Sequence, residues 1–196
     1  AAASGVGATI TIPGFGPDSQ ENLYAGTSAG AASDSDTCFN IALGSCAGKA
    51  LNEGDYNTLI GHEPGQAITD GSNNVAIGKW SAYYLTSGIN NTYVGGSSGV
   101  CRQTGNNNVA IGLNAFTGST TPADNSGGGN TVVGPDAGLG VTSGNQNVLI
   151  GCNAGKTVTS GSANIVLGSA AMGAGTATGD HNIAFACNSG STITSG

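Results

Sequence analysis

Basic side chains are scarce in this sequence. Of its 196 residues only four are basic, namely Lys49, Lys79, Arg102 and Lys156, and the formal net charge is −7. A nucleic-acid-binding surface needs a cluster of basic groups that neutralises phosphates, and these four residues are scattered along the chain. The composition therefore argues against nucleic acid as a partner.

Long apolar runs are also missing. No run approaches the ~20 residues that a transmembrane helix needs, and no charged-then-apolar signal segment opens the chain. We therefore expect no membrane insertion in this segment. The chain starts at Ala1 and stops at Thr194-Ser195-Gly196, a tripeptide that elsewhere leads into the next repeat. We expect a processed chain or a fragment whose repeats continue beyond residue 196.

Cysteine is infrequent and does not form a metal-binding pattern. The five cysteines are an odd number and no CxxC occurs. Cys152 and Cys187 share a column of the repeat but lie two repeats apart, roughly 9.6 Å at ~4.8 Å per turn, beyond the ~7 Å Cα limit for a disulfide. We expect free, buried cysteines, with disulfides within or between subunits as the alternative.

Charged residues (8%) and aromatic residues (5%) are few, whereas glycine, at 36 residues, is abundant. Such a composition suits a disordered chain, but a repeated five-residue pattern excludes that interpretation. The pattern is Asn, three mostly apolar positions and then Gly, with Ala186 replacing Gly in the last copy. It begins at ten asparagines: Asn22, Asn40, Asn57, Asn74, Asn91, Asn108, Asn130, Asn147, Asn164 and Asn182.

The steps between these asparagines are 17 or 18 residues, with one step of 22. A fixed period with apolar columns predicts a parallel stack in which each repeat is one turn of a coil. The fold class is therefore all-β, a parallel β-roll or β-solenoid of about ten ~17-residue repeats. Stacked asparagines are expected to pair amide to amide along the axis or to cap the turns. Residues 22–196 form this roll, and residues 1–21, with a strand expected at Ala8–Ile12, form an entry cap or the end of a preceding module.

The third apolar position of the pattern holds a side chain larger than alanine in nine of the ten copies. We therefore expect it, with the first position on the same strand face, to form the core of the coil. The predicted core residues are Leu43, Ile60, Ile77, Val94, Ile111, Val133, Ile150 and Leu167.

The middle position points to the opposite face of the strand and is also apolar. A strand that is apolar on both faces is buried on both faces, so this column is expected to need a partner surface, and an aspartate at Ala76 or Ala110 to split the assembly. The predicted subunit-interface residues are Ala42, Leu59, Ala76, Tyr93, Ala110, Val132, Leu149 and Val166. A short second strand is expected later in each repeat, as at Lys156–Thr159 or Ser191–Thr194.

Two places are candidates for contact with a receptor. The 22-residue step inserts a polar loop, Gly118–Gly127, and insertions in repeat proteins often carry binding, so Thr120, Asp124 and Asn125 are predicted contacts. The alternative is a tolerated surface insertion. Trp80, Tyr83 and Tyr84 cluster in one repeat, where aromatics either anchor a receptor or glycan or cover the edge of the coil.

Catalytic or metal-binding constellations are not predicted. His62 and His181 lie too far apart in a stacked rod to share a metal site or a triad. The acidic pairs Asp34/Asp36 and Glu53/Asp55 are interpreted as solvated loop carboxylates rather than calcium ligands. We expect no enzyme activity and no cofactor.

The pattern Asn-Val-Ala-Ile-Gly, followed by a small-residue loop, resembles the head repeats of trimeric autotransporter adhesins. The same repeat occurs in phage and large-virus tail-fibre proteins, whose longer versions are similar to residues 22–196. The resemblance implies a left-handed roll, a homotrimer with its axis along the fibre, and a role in attachment outside the cell. It transfers no catalytic residue.

We therefore predict a trimeric phage or virus tail-fibre segment that forms a stiff shaft and contacts a host receptor or glycan. The alternative is the head of a bacterial surface adhesin. A column of threonines at Thr69, Thr86, Thr104, Thr142 and Thr159 leaves an ice-binding solenoid as a distant alternative. A polysaccharide-cleaving spike is less favoured, because the acids form no catalytic pair.

Overall fold

The computed structural model describes residues 17–174 and 177–191. The strand expected at Ala8–Ile12 and most of the one expected at Ser191–Thr194 lie outside these ranges. Within them, each of the ten pattern copies forms a three-residue β-strand. The strands are β1 Leu23–Ala25, β2 Ile41–Leu43, β3 Thr58–Ile60, β4 Val75–Ile77, β5 Thr92–Val94, β6 Val109–Ile111, β7 Thr131–Val133, β8 Val148–Ile150, β9 Ile165–Leu167 and β10 Ile183–Phe185.

These strands form one parallel sheet whose spatial order is the sequence order, β1 to β10. Equivalent residues pair without slippage, so that Val75 lies beside Thr92 and Ile77 beside Val94. Backbone bonds join each turn to the next, as when Gly95 N–H donates to the carbonyl of Ile77 at 2.8 Å. The predicted β-solenoid with a spacing near 17 residues is confirmed.

The orientation of the strand faces is opposite to the prediction. The middle residues, predicted as a subunit interface, point into the chain's own coil and are fully buried there: Ala42, Leu59, Ala76, Tyr93, Ala110, Val132, Leu149 and Val166. The residues predicted as core lie on the outer face and none is fully buried: Leu43, Ile60, Ile77, Val94, Ile111, Val133, Ile150 and Leu167. An aspartate at Ala76 would therefore disrupt the coil itself.

The narrowness of the coil explains this inversion. Glycines on the far side of the coil lie directly against the middle column: a Cβ at Gly48 would meet Leu59 Cδ1 at 2.7 Å, and one at Gly99 would meet the Tyr93 ring at 2.6 Å. The interior therefore holds a single layer of side chains at packing contact. A column that alternates alanine with larger residues fits this space, whereas two columns of Ile, Leu and Val would overfill it.

The return segment of each turn is not the predicted second strand. It consists of turns and bends, and an isolated parallel bridge pairs Val158 with Ala177. Seven of the return segments contribute one further buried residue to the core, and these are Leu51, Ile68, Leu85, Arg102, Val141, Val158 and Ala177. Because the residues on either side of this position are less buried, periodicity alone suggested a strand.

The asparagines form a continuous buried ladder, as predicted. In each step the Oδ1 atom of one asparagine accepts both the backbone N–H and the Nδ2–H of the next. Asn91 Oδ1 accepts from Asn108 at 2.9 and 3.1 Å, while Nδ2 of Asn108 also donates to the Gly127 carbonyl at 3.0 Å. At the start of the ladder the Asp18 carboxylate takes the acceptor role towards Asn22, at 2.8 and 3.1 Å.

The insertion leaves the ladder uninterrupted. In most turns the Nδ2 atom donates to a glycine carbonyl 14 residues later, as from Asn91 to Gly105, whereas Asn108 reaches Gly127, 19 residues later. The additional residues leave the coil as a loop that contains a 3-10 helix, η1, at Pro122–Asp124. The predicted loop at the edge of the solenoid is therefore present.

Candidate functional site: an aromatic groove on the solenoid

A surface groove of about 250 Å³ lies where three aromatic residues of one turn meet the neighbouring turns. It is lined by Glu63, Trp80, Tyr83, Tyr84 and Val100. Trp80 and Tyr84 expose 40% and 45% of their surface. The structure thus brings together the three aromatic residues that the sequence singled out, and adds Glu63 and Val100, which come from the turns on either side and carry no signal in their local sequence.

Trp80 begins the corner that follows β4 and has φ of 59°. The equivalent residues in neighbouring turns, such as Glu63 and Ser97, share this left-handed conformation. A bulky residue is uncommon there, and Trp80 is the only aromatic at this position of the described turns. The conformation belongs to the repeated corner, so it is the aromatic side chain, and not the backbone, that distinguishes this turn.

The indole ring of Trp80 is held by its neighbours. Its Nε1–H donates to Oε2 of Glu63 at 2.8 Å, across one turn of the stack. Nζ of Lys79 lies 3.9 Å from the ring centroid, where the negative face of the aromatic quadrupole attracts a cation. These contacts fix the ring while leaving part of it exposed to solvent.

Tyr83 and Tyr84 pack edge to face, with ring centroids 4.7 Å apart. Partial burial and, to a lesser extent, the Glu63 carboxylate raise the pKa of Tyr83, so its phenol is neutral and can donate a hydrogen bond. Within the described residues neither tyrosine hydroxyl has a hydrogen-bond partner, nor does Oε1 of Glu63. The groove therefore combines apolar ring surface with unpaired polar atoms.

The loop residues predicted as receptor contacts separate into two groups. Thr120 and Asp124 are exposed, so the prediction stands for them. Asn125 is fully buried, and its Nδ2 donates to the carbonyls of Cys101, Ser119 and Thr121 at 2.8–3.2 Å. The prediction is wrong for Asn125, which instead holds the loop closed because its amide joins two residues of the loop to Cys101 of the preceding turn.

Arg102 is an unpredicted feature of the same region. It stands in the buried column that holds Leu85 and Val141 in other turns, and its side chain is fully buried. It lies 3.4 Å from the Phe116 ring centroid, and its guanidinium donates to the carbonyls of Phe116, Thr142 and Val141. Arg102 thus links turns on both sides of the insertion. A basic residue in an otherwise apolar column of the repeat was the sequence signal for this role.

Burial lowers the pKa of Arg102 to about 10, so it is a cation at neutral pH held by carbonyl dipoles. No acidic residue of the described ranges pairs with it. One of the four basic residues is thus withdrawn from the surface, which leaves the exterior more acidic than composition alone indicates.

The remaining candidate residues do not assemble into a reactive site. All five cysteines are free, as expected, but none is buried, which corrects that part of the expectation. Among the described residues no group of three His, Cys, Asp or Glu side chains is placed to hold a metal ion. Nor does any helix in these ranges have the length and apolar character that crossing a membrane requires.

Comparison of the chain with protein-family models, with curated proteins and with solved structures yields no match. The functional argument therefore depends on the geometry of the solenoid and its surface.

Proposed function

We propose that this chain is a structural fibre module that serves in attachment, as a segment of a trimeric phage or virus tail fibre. The observation that carries the proposal is the outer face of the sheet. Each of the ten strands presents two side chains there, and none of them is charged. Several large residues on this face are more than one-third exposed in the single chain, including Ile41, Ile111 and Ile150.

An uncharged strip of this kind marks an interaction surface. Nine steps at ~4.8 Å extend it over about 43 Å, with the same columns in every turn. A partner that matches side chains at this period along the whole strip must itself be a stack of equal pitch. A second copy of this chain offers that surface, and three copies around one axis each bury their strips.

The stack also suits a shaft mechanically. Backbone bonds join each turn to its neighbours, and the buried asparagine ladder adds side-chain bonds along the same axis from Asn22 to Asn182. Closely packed turns leave few exposed edges for proteases. An exterior with little positive charge and an extended rod favour a place outside the cell, on a virion or, as the second candidate, on a bacterial surface.

The threonine column gives no comparable support to an ice-binding surface. Gln103, not Thr104, stands in register with Thr86, and the Thr86 hydroxyl donates to the Gln103 carbonyl at 3.1 Å. The Thr142 hydroxyl likewise donates to the carbonyl of Thr159 at 3.2 Å. These hydroxyls serve the stack itself, and the positions two residues before Thr69, Thr86 and Thr142 carry Ala67, Tyr84 and Gly140 rather than a second threonine column.

Sedimentation equilibrium of the purified chain at micromolar concentration tests the proposal. We expect a mass three times the 18.8 kDa of one chain. The double variant Ile77→Asp/Ile111→Asp should sediment as a monomer, whereas the control Ser87→Asp, which adds an exposed charge in a return segment, should remain a trimer. A native chain that stays monomeric at this concentration would refute the proposal.

A further inference from the structure

The groove formed by Glu63, Trp80, Tyr83, Tyr84 and Val100 is separate from the outer strand face, since none of its lining residues belongs to a strand. The groove and the proposed assembly face therefore share no residue. We propose that this groove binds a neutral hexopyranose unit of a surface glycan. This inference rests on the proposed role in attachment and specifies the chemistry that the fibre recognises.

The side chains of the groove match the two kinds of surface that a pyranose ring presents. One face of the sugar carries C–H groups with partial positive charge, which pack on the negative face of an aromatic ring. Nζ of Lys79 occupies one face of the Trp80 ring, 3.9 Å from its centroid, so the sugar packs on the part of the ring that remains exposed. The rim of the sugar carries hydroxyl groups, which need hydrogen-bond partners when they leave water.

Those partners are present in unpaired form. Oε1 of Glu63 accepts two hydroxyl protons, and the Tyr83 and Tyr84 hydroxyls both donate and accept. An apolar peptide side chain would leave these groups without partners on binding, which costs affinity. The combination of ring faces and free acceptors thus favours a sugar over an aliphatic anchor.

Charge selects among sugars. Glu63 places a carboxylate in the groove, the chain carries a net charge of −7, and Arg102 is buried. Lys79 lies over the Trp80 ring, and its ammonium group balances the Glu63 carboxylate. The other neighbour of that carboxylate is His62, whose Nδ1 lies 3.9 Å from Oε2 of Glu63. An acidic sugar such as sialic acid would enter a site of zero to negative local charge, so we expect it to bind more weakly than a neutral hexose.

The chain offers a direct probe, because Trp80 is its single tryptophan. Selectively excited tryptophan fluorescence therefore reports this groove alone. We would titrate the native chain with methyl β-D-glucopyranoside, methyl β-D-galactopyranoside and N-acetylneuraminic acid. The expected result is a saturable change with at least one neutral glycoside at millimolar concentration and a weaker response to the acid.

Three variants locate the binding. Tyr84→Ala should weaken the response by about tenfold. The control Tyr56→Ala, which removes another exposed tyrosine that does not line the groove, should leave it unchanged. Glu63→Gln keeps an acceptor for the Trp80 indole and should reduce the discrimination between neutral and acidic sugars. Sedimentation of the same samples should give unchanged masses.

The proposal is overturned if neither neutral glycoside changes the fluorescence, if the acid binds as tightly as the neutral sugars, or if Tyr84→Ala binds like the native chain. Because the mass is measured on the same samples, these outcomes leave the fibre proposal standing. A monomeric native chain would refute the fibre proposal whatever the sugar titration shows.

Discussion

Tyr24 and Tyr93 both stand in the middle column of the strands and point into the coil, but their hydroxyl groups differ in hydrogen bonding. The Tyr24 hydroxyl accepts a hydrogen bond from Ser33 at 2.7 Å, whereas the buried Tyr93 hydroxyl has no partner. An unpaired buried hydroxyl costs about 1–3 kcal/mol. Tyr93→Phe should therefore raise the free energy of unfolding by about 1 kcal/mol, and Tyr24→Phe should lower it by a similar amount, both measured by chemical denaturation.

The pH dependence of the free energy of unfolding offers a second test of Tyr93. Burial, partly opposed by the charge of Arg102, raises the pKa of Tyr93 from 10.0 to about 12. Between these two pKa values the folded state holds a proton that the unfolded state releases. The contribution of this proton to stability is therefore complete below pH 10 and is lost as the pH rises towards 12. The stability of the native chain should fall relative to that of Tyr93→Phe across this window. Parallel curves would contradict the assignment.

Asn90 and Asn91 are adjacent but lie in different environments. Asn91 belongs to the buried ladder, where its Nδ2 donates to Asn74 Oδ1 and to the Gly105 carbonyl, whereas Asn90 is exposed. Asn91→Asp removes the donor and buries a charge without a cation, at a cost of roughly 3–5 kcal/mol. Asn90→Asp should change stability by less than about 0.5 kcal/mol.

Denaturation midpoints at pH 7 and in mild acid measure this difference. Burial raises the pKa of the introduced carboxyl, so protonation should restore part of the stability of Asn91→Asp as the pH falls. Equal midpoints for the two variants would show that the ladder does not support the stack.

At the scale of the elements, a glycine follows each of the strands β1 to β9 and determines how closely successive turns can pack. Gly95 has φ of +129°, and a Cβ there would lie 2.5 Å from the carbonyl oxygen of Gly112 in the next turn. Gly96, its neighbour, would place a Cβ 3.3 Å from the flexible end of Leu113 and against nothing else. Gly95→Ala should therefore cost at least about 2 kcal/mol, and Gly96→Ala much less. A thermal melt of both variants is sufficient, and similar melting temperatures would refute this role.

The sequence predicted the strands but not their orientation, and the reason lies in the pattern itself. In β4 all three residues are apolar, so alternation does not distinguish the inner face from the outer one. Side-chain size suggested Ile77 for the core, yet the narrow coil accepts Ala76. The distances that fix this choice, such as those from Gly48 to Leu59, join different turns and are not encoded in any one repeat.

The candidate groove was predictable only in part, because some of its contacts join different turns. Trp80, Tyr83 and Tyr84 are close in sequence and break the columns of small residues, which made them visible. Glu63 reaches Trp80 only because one full turn separates them. The burial of Asn125 and Arg102 depends on how the inserted loop folds back onto the coil, and a single sequence does not specify that path.

At the scale of the whole molecule, the inversion of the strand faces changes how assembly works. The core of each coil is complete within one chain, and the outer columns are the surface through which we propose that copies associate. On this proposal each chain folds its own turns and then associates through a surface that is already formed. Mutations on the two faces of one strand should therefore have separable effects on folding and on assembly.

The variants Ala76→Asp and Ile77→Asp, adjacent in β4, test this account most directly when circular dichroism and light-scattering mass are recorded on the same samples. Ile77→Asp should keep the β-sheet spectrum while its mass shifts from trimer towards monomer. Ala76→Asp should lose the spectrum, because the charge enters the coil. A folded, monomeric Ala76→Asp beside a trimeric Ile77→Asp would contradict the account.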